Sequence, residues 1–267
     1  MNPVWLLRNT SSAWRYRAST VDFLKSLLWI YAGKLPKREH YREWEIGFQY
    51  PEPIGRLRLL LRGNLGSDAF IHGEVFSHEY YRLPLAAPPA TILDLGSNTG
   101  LTAVYFGRVY PNAQLACVEP VPENLRVLSR NLELNAIRAT VISAAIDAND
   151  GKVTMTLHKM DYGHRVATGN EPTSSASIEV PALSIPTLLE RLGWARIGLL
   201  KVDIEGHERT LLSTACDWLS RVDALCIECH EGFGEVDLVQ IATRYGFAQP
   251  RQLPGIWFLR RLPIGRE

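Results

Sequence analysis

From residue 90 onward, the chain alternates between short apolar runs and stretches in which apolar residues recur three or four positions apart. The short runs predict buried strands, and the longer period predicts amphipathic helices. Strands are predicted at 91–95, 114–119, 139–143, 153–157, 197–202 and 224–229. Helices are predicted at 101–109, 123–135, 185–192 and 208–219. Strands that alternate with helices favour a parallel sheet covered by helices.

Two further strands are predicted at the end of the chain, near 247–251 and 255–261. Only the turn Leu253-Pro254-Gly255 separates them, so we expect them to pair as an antiparallel hairpin. The predicted fold class is therefore α/β: a doubly wound, Rossmann-like sheet that is mostly parallel and ends in an antiparallel hairpin.

The first 85 residues have a different pattern. Thr20 is predicted to cap a helix that runs towards Gly33. Residues 44–50 and 56–61 flank a turn and predict a β-hairpin. Prolines then interrupt the chain at 84, 88 and 89. We therefore predict an N-terminal helix and β-hairpin extension over residues 1–85 and a main domain over residues 86–267.

A glycine-bounded turn follows the first strand of the main domain. Asp94 lies near the end of that strand, and Gly96 and Gly100 bracket the turn. A missing Cβ lets the backbone approach a ligand, and the N-terminus of the next helix faces the same ligand. Asn98 stands where the dinucleotide fingerprint has its second glycine, which disfavours a pyrophosphate. Asp94, Gly96, Ser97, Asn98 and Gly100 are predicted to bind a smaller, less charged cofactor.

Three later residues extend this predicted cofactor site. Glu119 ends the second strand, 25 positions after Asp94 (119 − 94 = 25). In doubly wound folds, an acid at about this distance accepts hydrogen bonds from ribose hydroxyls. The third strand leads to Ala145 and Asp147, a small residue and an acid that suit an adenine slot.

Asp203 follows the strand at 197–202, which we expect to lie beside the opening strand. A carboxylate there can take a proton from a hydroxyl, orient an acceptor or hold a cation. Alternatively, Asp203 and Glu205 only cap the helix that follows. Lys201 alternates with Asp203, so it is predicted to orient or balance that charge at the catalytic site.

Glu228 and His230 end the fifth strand and form a predicted cluster with Asp203. An imidazole near its unperturbed pKa of about 6.5 is a better general base at neutral pH than an unshifted carboxylate. Three interpretations remain open. The cluster is a base or substrate contact, it holds a divalent ion such as Mg2+, or His230 is a structural hydrogen-bonding residue.

Four residues are predicted to contact the substrate. Glu205 and His207 lie next to Asp203 in sequence, and His164 lies in a loop at 158–170. Tyr80 is the fourth, although its ring could equally pack in the core.

Three motifs resemble one family: Asp94-Leu95-Gly96-Ser97-Asn98-Thr99-Gly100, Val118-Glu119-Pro120, and Leu200-Lys201-Val202-Asp203-Ile204-Glu205-Gly206-His207-Glu208. Together they resemble the FkbM family of S-adenosylmethionine-dependent methyltransferases. The upstream Ser67 and Asp68 also resemble the segment that precedes the cofactor loop in that family. The resemblance covers about residues 62 to 232, and its most specific part is Lys-x-Asp-x-Glu-Gly-x-Glu.

The resemblance implies a class I fold, S-adenosylmethionine as the cofactor, and Ser67 and Asp68 among the residues that bind it. It also implies methyl transfer to a hydroxyl oxygen of a small molecule, such as a sugar or a related natural product. Two alternatives remain: a non-catalytic S-adenosylmethionine-binding or scaffold protein, and an enzyme that uses an adenine nucleotide or NAD.

Composition limits the expected partners. Lys+Arg 29 against Asp+Glu 28 gives a net charge of +1, so nucleic acid is not expected as a partner. The four cysteines are expected to be free thiols. No signal peptide and no stable membrane insertion are expected, which favours a cytoplasmic location. The basic, aromatic N-terminal helix has two interpretations. It packs on the main domain or forms a homo-oligomer, or it lies on a membrane or a lipid-like substrate.

Overall fold

The computed structural model of the protein describes residues 3–31, 42–63, 67–156, 165–166, 177–213, 216–230 and 232–262. Its N-terminal elements are the helices α1 (Pro3–Arg15) and α2 (Thr20–Ile30), the strands β1 (Glu43–Gln49) and β2 (Arg56–Arg62), and the helix α3 (Ser67–His72). β1 and β2 form the predicted antiparallel hairpin. α3 continues as one π-helical turn, Gly73–Ser77.

The later strands are β3 (Thr91–Leu95), β4 (Gln114–Val118), β5 (Ala139–Ile142), β6 (Ala145–Ile146), β7 (Gly151–Thr156), β8 (Arg165–Val166), β9 (Ser177–Leu183), β10 (Leu199–Val202), β11 (Ala224–Ile227), β12 (Arg251–Gln252) and β13 (Trp257–Arg260). Seven of the described strands form the central sheet, in the order β12-β13-β11-β10-β3-β4-β5. β5, β4, β3, β10 and β11 are parallel, whereas β13 is antiparallel to both β11 and β12. The mostly parallel sheet with a C-terminal antiparallel hairpin is confirmed.

Helices cover both faces of this sheet. They are α4 (Leu101–Val109), α5 (Pro122–Leu134), α6 (Ile185–Leu192), α7 (Glu208–Ser213) and α8 (Glu235–Tyr245). Successive strand residues point to opposite faces, and Ile92 and Leu93 accordingly belong to different hydrophobic clusters. α4 and α5 pack on the Ile92 face, and α6, α7 and α8 pack on the Leu93 face. Burial of both faces explains why the central strands β3, β10 and β11 are mostly apolar.

A second sheet corrects one predicted element. The segment 153–157 was expected in the parallel sheet, but β7 lies in a four-stranded sheet ordered β6-β9-β7-β8. Only residues 147–150 separate β6 from β7. This link is too short for the crossover that a parallel connection needs, and β7 instead pairs antiparallel with β9. β9 itself was not predicted.

In the N-terminal part, α1 was not predicted, and Ser19 caps α2 in place of the predicted Thr20. The helical predictions of the main domain differ in two places. α7 ends at Ser213, and a short 3₁₀ turn, Asp217–Arg221, follows within the predicted range of 208–219. α8 was missed, although Leu238, Ile241 and Ala242 form its buried face at helical spacing. All four cysteines are free thiols, as expected.

The N-terminal hairpin is joined to the main sheet through two asparagines on α5. The Asn131 side chain accepts a hydrogen bond from the Leu60 N–H (2.7 Å) and donates to the carbonyl oxygens of Leu60 (3.2 Å) and Thr99 (2.8 Å). One turn later, Asn135 pairs with the N–H and carbonyl of Arg58. Two side-chain amides thus continue the hydrogen bonding of the β2 edge.

The domain boundary predicted between residues 85 and 86 stays a prediction.

Replacing Asn131 with leucine is expected to lower the free energy of unfolding by about 3 kcal/mol. The change removes three buried hydrogen bonds and leaves their backbone partners unsatisfied. Urea denaturation measures the loss. The exposed Asn112 offers the control, since Asn112→Leu should change stability by less than about 0.5 kcal/mol. Equal losses in the two variants would contradict the proposed link between α5 and the hairpin.

Candidate active site

A cavity of about 320 Å³ lies at the carboxyl ends of the central strands β3, β4, β10 and β11. Ligands of doubly wound folds bind at this edge, where the direction of winding changes. The cavity wall combines the glycine loop after β3, the end of β4, and the residues that follow β10 and β11. The π-helical turn after α3 and strands of the second sheet close its other sides.

The glycine loop needs a residue without a side chain at position 96. Gly96 has a φ of +72°, and a Cβ placed on it would lie 1.8 Å from the Asp203 carbonyl oxygen. The N–H groups of Gly96 and Ser97 both donate to the Val118 carbonyl, at 3.0 and 3.1 Å. The loop is therefore held between β4 and the segment after β10, and Gly96, Ser97 and Asn98 face the cavity.

Glu119 fixes the far side of this loop. One of its carboxylate oxygens accepts the Asn98 N–H at 2.9 Å. The other accepts the Val121 N–H at 2.9 Å and the Asn124 side-chain amide at 3.2 Å. Burial raises the pKa of Glu119, and these hydrogen bonds oppose the increase. Glu119 lies on the cavity wall, and its predicted contact with a ribose stays a prediction.

Lys201 lies directly opposite Asp94 in the register of β10 and β3. Its Nζ is 3.1 Å from the Asp94 carboxylate and 3.4 Å from that of Asp203. It also donates to the Gly96 carbonyl at 2.7 Å. Burial opposes the charge of Lys201, but the charges of Asp94 and Asp203 outweigh burial and raise the pKa well above its usual value. Lys201 is therefore a fixed cation that positions the loop and Asp203.

Acidic side chains crowd the end of the cavity beyond Asp203. Burial, together with the charge of Asp203, raises the pKa of Glu74 to about 7, that of Glu205 to about 8 and that of Glu228 to about 7. Carboxylates this close resist simultaneous ionisation. A cationic group bound at this end would favour the ionised form of these carboxylates.

His230 is the cation of this acidic end, which corrects the expectation of an unperturbed imidazole. Its Nδ1 is 2.8 Å from Glu208, and its Nε2 is 3.5 Å from Glu205 and 3.8 Å from Glu228. Burial alone would lower the pKa of His230, but the hydrogen bond to Glu208 and the surrounding negative charges raise it to about 9. At neutral pH, the ring is protonated and is no proton acceptor.

A cation-binding arrangement also exists here, but with a different third residue. The ligand atoms of Asp203, Glu205 and His230 lie within 4.8 Å of one another, whereas the predicted set contained Glu228 in place of Glu205. A protonated His230 offers no lone pair to a metal, so an ion at this place would have to displace the proton.

Residues 94–248, more than half of the chain, match the model of the methyltransferase FkbM domain. The chain belongs to the FkbM methyltransferase family. This membership agrees with the resemblance of its motifs and with a class I methyltransferase fold, whose doubly wound sheet and antiparallel hairpin are present.

Two similar methyltransferases share 30% or less of their aligned residues with this chain. The chain is 26% identical over 188 residues to Methyltransferase 1 of Beauveria bassiana, with 62% of this chain and 75% of that protein covered. It is 30% identical over 138 residues to Methyltransferase sdnD of Sordaria araneosa, where the coverage is 51% and 52%. It thus spans about half the length of the latter.

Two proteins with FkbM in their names are also similar to this chain. The 31-O-demethyl-FK506 methyltransferase FkbM of Streptomyces tacrolimicus is 23% identical over 217 residues, covering 69% of this chain and 83% of that protein. The crystal structure of methyltransferase FkbM from Methylobacillus flagellatus KT is 16% identical with a TM-score of 0.48, covering 95% of this chain and 58% of that one.

Most of the predicted FkbM site residues lie on the cavity wall. These are Gly96, Ser97, Asn98, Glu119, Ala145, Lys201, Asp203, Glu205, His207, Glu228 and His230. The structure brings them together because they follow neighbouring strands at one edge of the sheets. Their roles in binding and catalysis stay predictions.

Two predicted cofactor contacts act behind the wall. Asp94 is fully buried, and its carboxylate faces Lys201 instead of the cavity. Gly100 has a φ of +77° and precedes α4; a Cβ there would lie 3.0 Å from Leu128. Asp94 lies in β3 and Gly100 immediately precedes α4, so both support the conformation of the glycine loop between these two elements.

Ser67 and Asp68 are also fully buried and do not line the cavity. Asp68 forms an ion pair with Arg62 at 2.9 Å, and Arg62 donates to Asn124 at 3.0 Å. Asn124 in turn binds Glu119. The side chain of Asp68 therefore connects the N-terminal hairpin with the cofactor loop, and its predicted contact with the cofactor stays a prediction.

Three remaining predictions have different outcomes. Asp147 does not line the cavity and instead lies 3.1 Å from His207. Tyr80 packs against Gly255, where a Cβ would lie 2.0 Å from its ring, and its neighbour Tyr81 lines the cavity in its place. His164 lies outside the described residues.

Sequence reasoning missed several residues of the wall. Glu74 and Phe70 come from α3 and its π-helical turn, and Met155 and Val166 come from the second sheet. A π-helical turn inside a helix often marks a functional site, but its position is not visible in the hydrophobic pattern. The residues of the second sheet were missed because that sheet was not predicted.

Changing Glu208 to glutamine is expected to lower the pKa of His230, from about 9 by about 1 unit or more, because the closest negative charge is removed. NMR titration of the His230 ring, assigned with His230→Gln, measures the shift. His207→Gln is the control variant and should leave the His230 signal unchanged. A wild-type His230 that titrates near pH 6.5 would contradict the assignment of a cation.

The same interaction gives a pH dependence of stability. The folded pKa of His230 is raised above that of the unfolded chain, so its contribution is complete below about pH 6.5 and is lost as the pH rises through about 9. The difference in unfolding free energy between wild type and Glu208→Gln should therefore shrink between these pH values.

Proposed function

We propose that the protein is an S-adenosylmethionine-dependent O-methyltransferase that acts on a hydroxyl group of a small molecule, a sugar or a related natural product. One observation carries the choice of cofactor: the glycine loop lies beside a cavity that several carboxyl groups line. Five acidic side chains line this cavity: those of Glu74, Glu119, Asp203, Glu205 and Glu228.

The charge of the cavity favours a sulfonium cofactor over a dinucleotide. A pyrophosphate needs free backbone N–H groups, but the Asn98 N–H already donates to Glu119. The carboxylates would also repel a pyrophosphate, whereas they attract a positive sulfonium and a positive amino group. S-adenosylmethionine supplies an electrophilic methyl group when bound; Gly96, Asn98 and Glu119 would hold it.

The acceptor is proposed to lie at the acidic end, in front of Asp203 and Glu228. Catalysis would then consist mainly of positioning a hydroxyl for in-line attack, with proton removal assisting. Glu228 is the best-placed proton acceptor, because its pKa of about 7 matches neutral pH and its side chain is partly exposed. Lys201 and His230 are cations and would orient the neighbouring carboxylates.

Hydroxyl acceptors receive support from one relative. The name of the Streptomyces tacrolimicus protein describes O-methylation of 31-O-demethyl-FK506 by that protein. The proposal for this chain takes only the acceptor class from it, an oxygen on a natural product. No metal is needed for the proposed transfer, since the side chains of the cavity already provide the proton acceptor.

Calorimetry is expected to show binding of S-adenosylmethionine and S-adenosylhomocysteine but not of NAD. Gly96→Ala should weaken binding of S-adenosylhomocysteine at least about a hundredfold, because the new Cβ would lie 1.8 Å from the Asp203 carbonyl. Gly193→Ala is the matched control: its φ of +66° imposes the same strain, but nothing lies within 4 Å. Circular dichroism confirms that both variants are folded. Binding of NAD alone would overturn the proposed cofactor.

Methyl transfer is tested with ¹³C-methyl-labelled S-adenosylmethionine and a panel of hydroxylated glycosides and macrolides. The ¹³C shift of the product distinguishes an O-methyl from an N-methyl group. Glu228→Gln should lower kcat/KM about a hundredfold or more and remove the rise of the pH profile near 7. Glu205→Gln, the matched control, should retain that rise.

The same assay separates the alternatives. An N-methyl product would contradict the proposed acceptor class, and cofactor binding without any product would support the non-catalytic alternative. Unchanged rates with a chelator and with added Mg2+ are expected, and a loss of activity with the chelator would favour a metal held by Asp203, Glu205 and His230.

A further inference from the structure

The N-terminal helix α2 buries polar side chains and exposes aliphatic ones, the reverse of the usual arrangement in a surface helix. Its buried side contains Asp22, Ser26 and Trp29. Its exposed side contains Val21, Leu24 and Leu28, which are 61%, 55% and 51% exposed. The spacing of three and four residues places these aliphatic side chains in one stripe along the helix.

Specific hydrogen bonds hold the polar side inward. Asp22 accepts the Gly47 N–H of β1 at 2.8 Å, and the Trp29 indole donates to the Arg62 carbonyl of β2 at 2.9 Å. Ser26 donates to the Asp22 carbonyl at 2.8 Å. Because these contacts fix the rotation of α2, the helix cannot turn its aliphatic stripe into the core without breaking them.

Trp14 extends the apolar surface from α1. Its ring is 51% exposed and packs edge-on against Phe23 of α2, with centroids 5.1 Å apart. Four of the eight large hydrophobic side chains that are exposed in the described residues thus lie between positions 14 and 28. Scattered exposed residues are normal, but such clustering marks an interaction surface. We call Trp14, Val21, Leu24 and Leu28 the N-terminal apolar surface.

The charges around this surface are positive. Residues 9–31 contain three cations, Arg15, Arg17 and Lys25, and one acid, Asp22, for a sum of +2 (3 − 1). The acid is buried, whereas Arg15 is exposed and the Arg17 guanidinium lies over the Trp14 ring, 3.4 Å from its centroid. Two copies of this surface would bring like charges together, so charge disfavours a second copy as the partner and favours an anionic one.

We propose that the N-terminal apolar surface binds an anionic membrane surface, with α2 lying in the plane of the interface. An exposed aliphatic stripe beside an aromatic residue and cations is the arrangement by which interfacial helices bind anionic lipids. No helix among the described residues has the length and apolar character to cross a bilayer. This binding is independent of the proposed methyl transfer.

Co-sedimentation with lipid vesicles tests the proposal. The full chain should bind phosphatidylcholine vesicles with about 30% phosphatidylserine at least about tenfold more tightly than pure phosphatidylcholine vesicles. The double variant Leu24→Glu/Leu28→Glu should weaken binding at least about tenfold, because it places two negative charges on the stripe. Arg15→Gln/Arg17→Gln should weaken binding to the anionic vesicles only.

Val236→Glu is the matched control. Val236 is 72% exposed on α8, outside the N-terminal apolar surface, and this variant should bind vesicles like the wild type. Thermal unfolding and calorimetry with S-adenosylhomocysteine should show the same fold and cofactor binding in all variants.

Two outcomes would overturn the proposal. One is no binding of the wild type to vesicles of either composition. The other is a dimer by light scattering that Leu24→Glu/Leu28→Glu converts to a monomer while vesicle binding is absent, because the second copy would then be the partner. Equal binding of the Val236→Glu and Leu24→Glu/Leu28→Glu variants to anionic vesicles would equally contradict it.

Discussion

The buried ammonium of Lys201 is the interaction on which the candidate site depends. It lies between the carboxylates of Asp94 and Asp203 and also binds the Gly96 carbonyl. One charge therefore fixes the end of β3, the start of the glycine loop and the first residue after β10. Burying a charge is costly, and the cost is offset only while its partners remain in place. This requirement explains why an acid and a lysine interrupt two otherwise apolar strands, at directly paired positions.

A second network connects the N-terminal hairpin to the same loop. It runs from Asp68 through Arg62 and Asn124 to Glu119, and Glu119 holds the Asn98 N–H. Asn131 adds a parallel link through the backbone of β2. The hairpin is thus part of the support of the cofactor loop, because a shift of β2 would move the groups that hold Glu119.

The central sheet and the glycine loop could be predicted because both depend on local signals: apolar periodicity, glycine positions and strand ends. Other features depend on tertiary contacts. The raised pKa of His230 requires Glu208 and Glu205 to converge on its ring, and the sequence gives no distances. Asp94 was predicted as a cofactor contact because an acid at a strand end resembles a ligand, whereas its burial against Lys201 is visible only in the fold. β9 was missed although Ile178, Val180 and Ala182 alternate with Glu179 and Pro181; a proline inside such a run disfavours a strand.

The net charge of +1 conceals two local groups of ionisable side chains, one acidic and one basic. The cavity collects carboxyl groups whose pKa values are raised by burial and by the charge of Asp203, so that a bound cation favours their ionised form, whereas residues 9–31 carry a sum of +2 (3 − 1). Salt screens charges that are more than about 10 Å away, so a ligand interacts mainly with the charged side chains close to its own site. A net charge close to zero is therefore compatible with a cationic cofactor in the cavity and with an anionic binding partner at α2. The two sites can use opposite charges because each field is produced by its own neighbouring side chains.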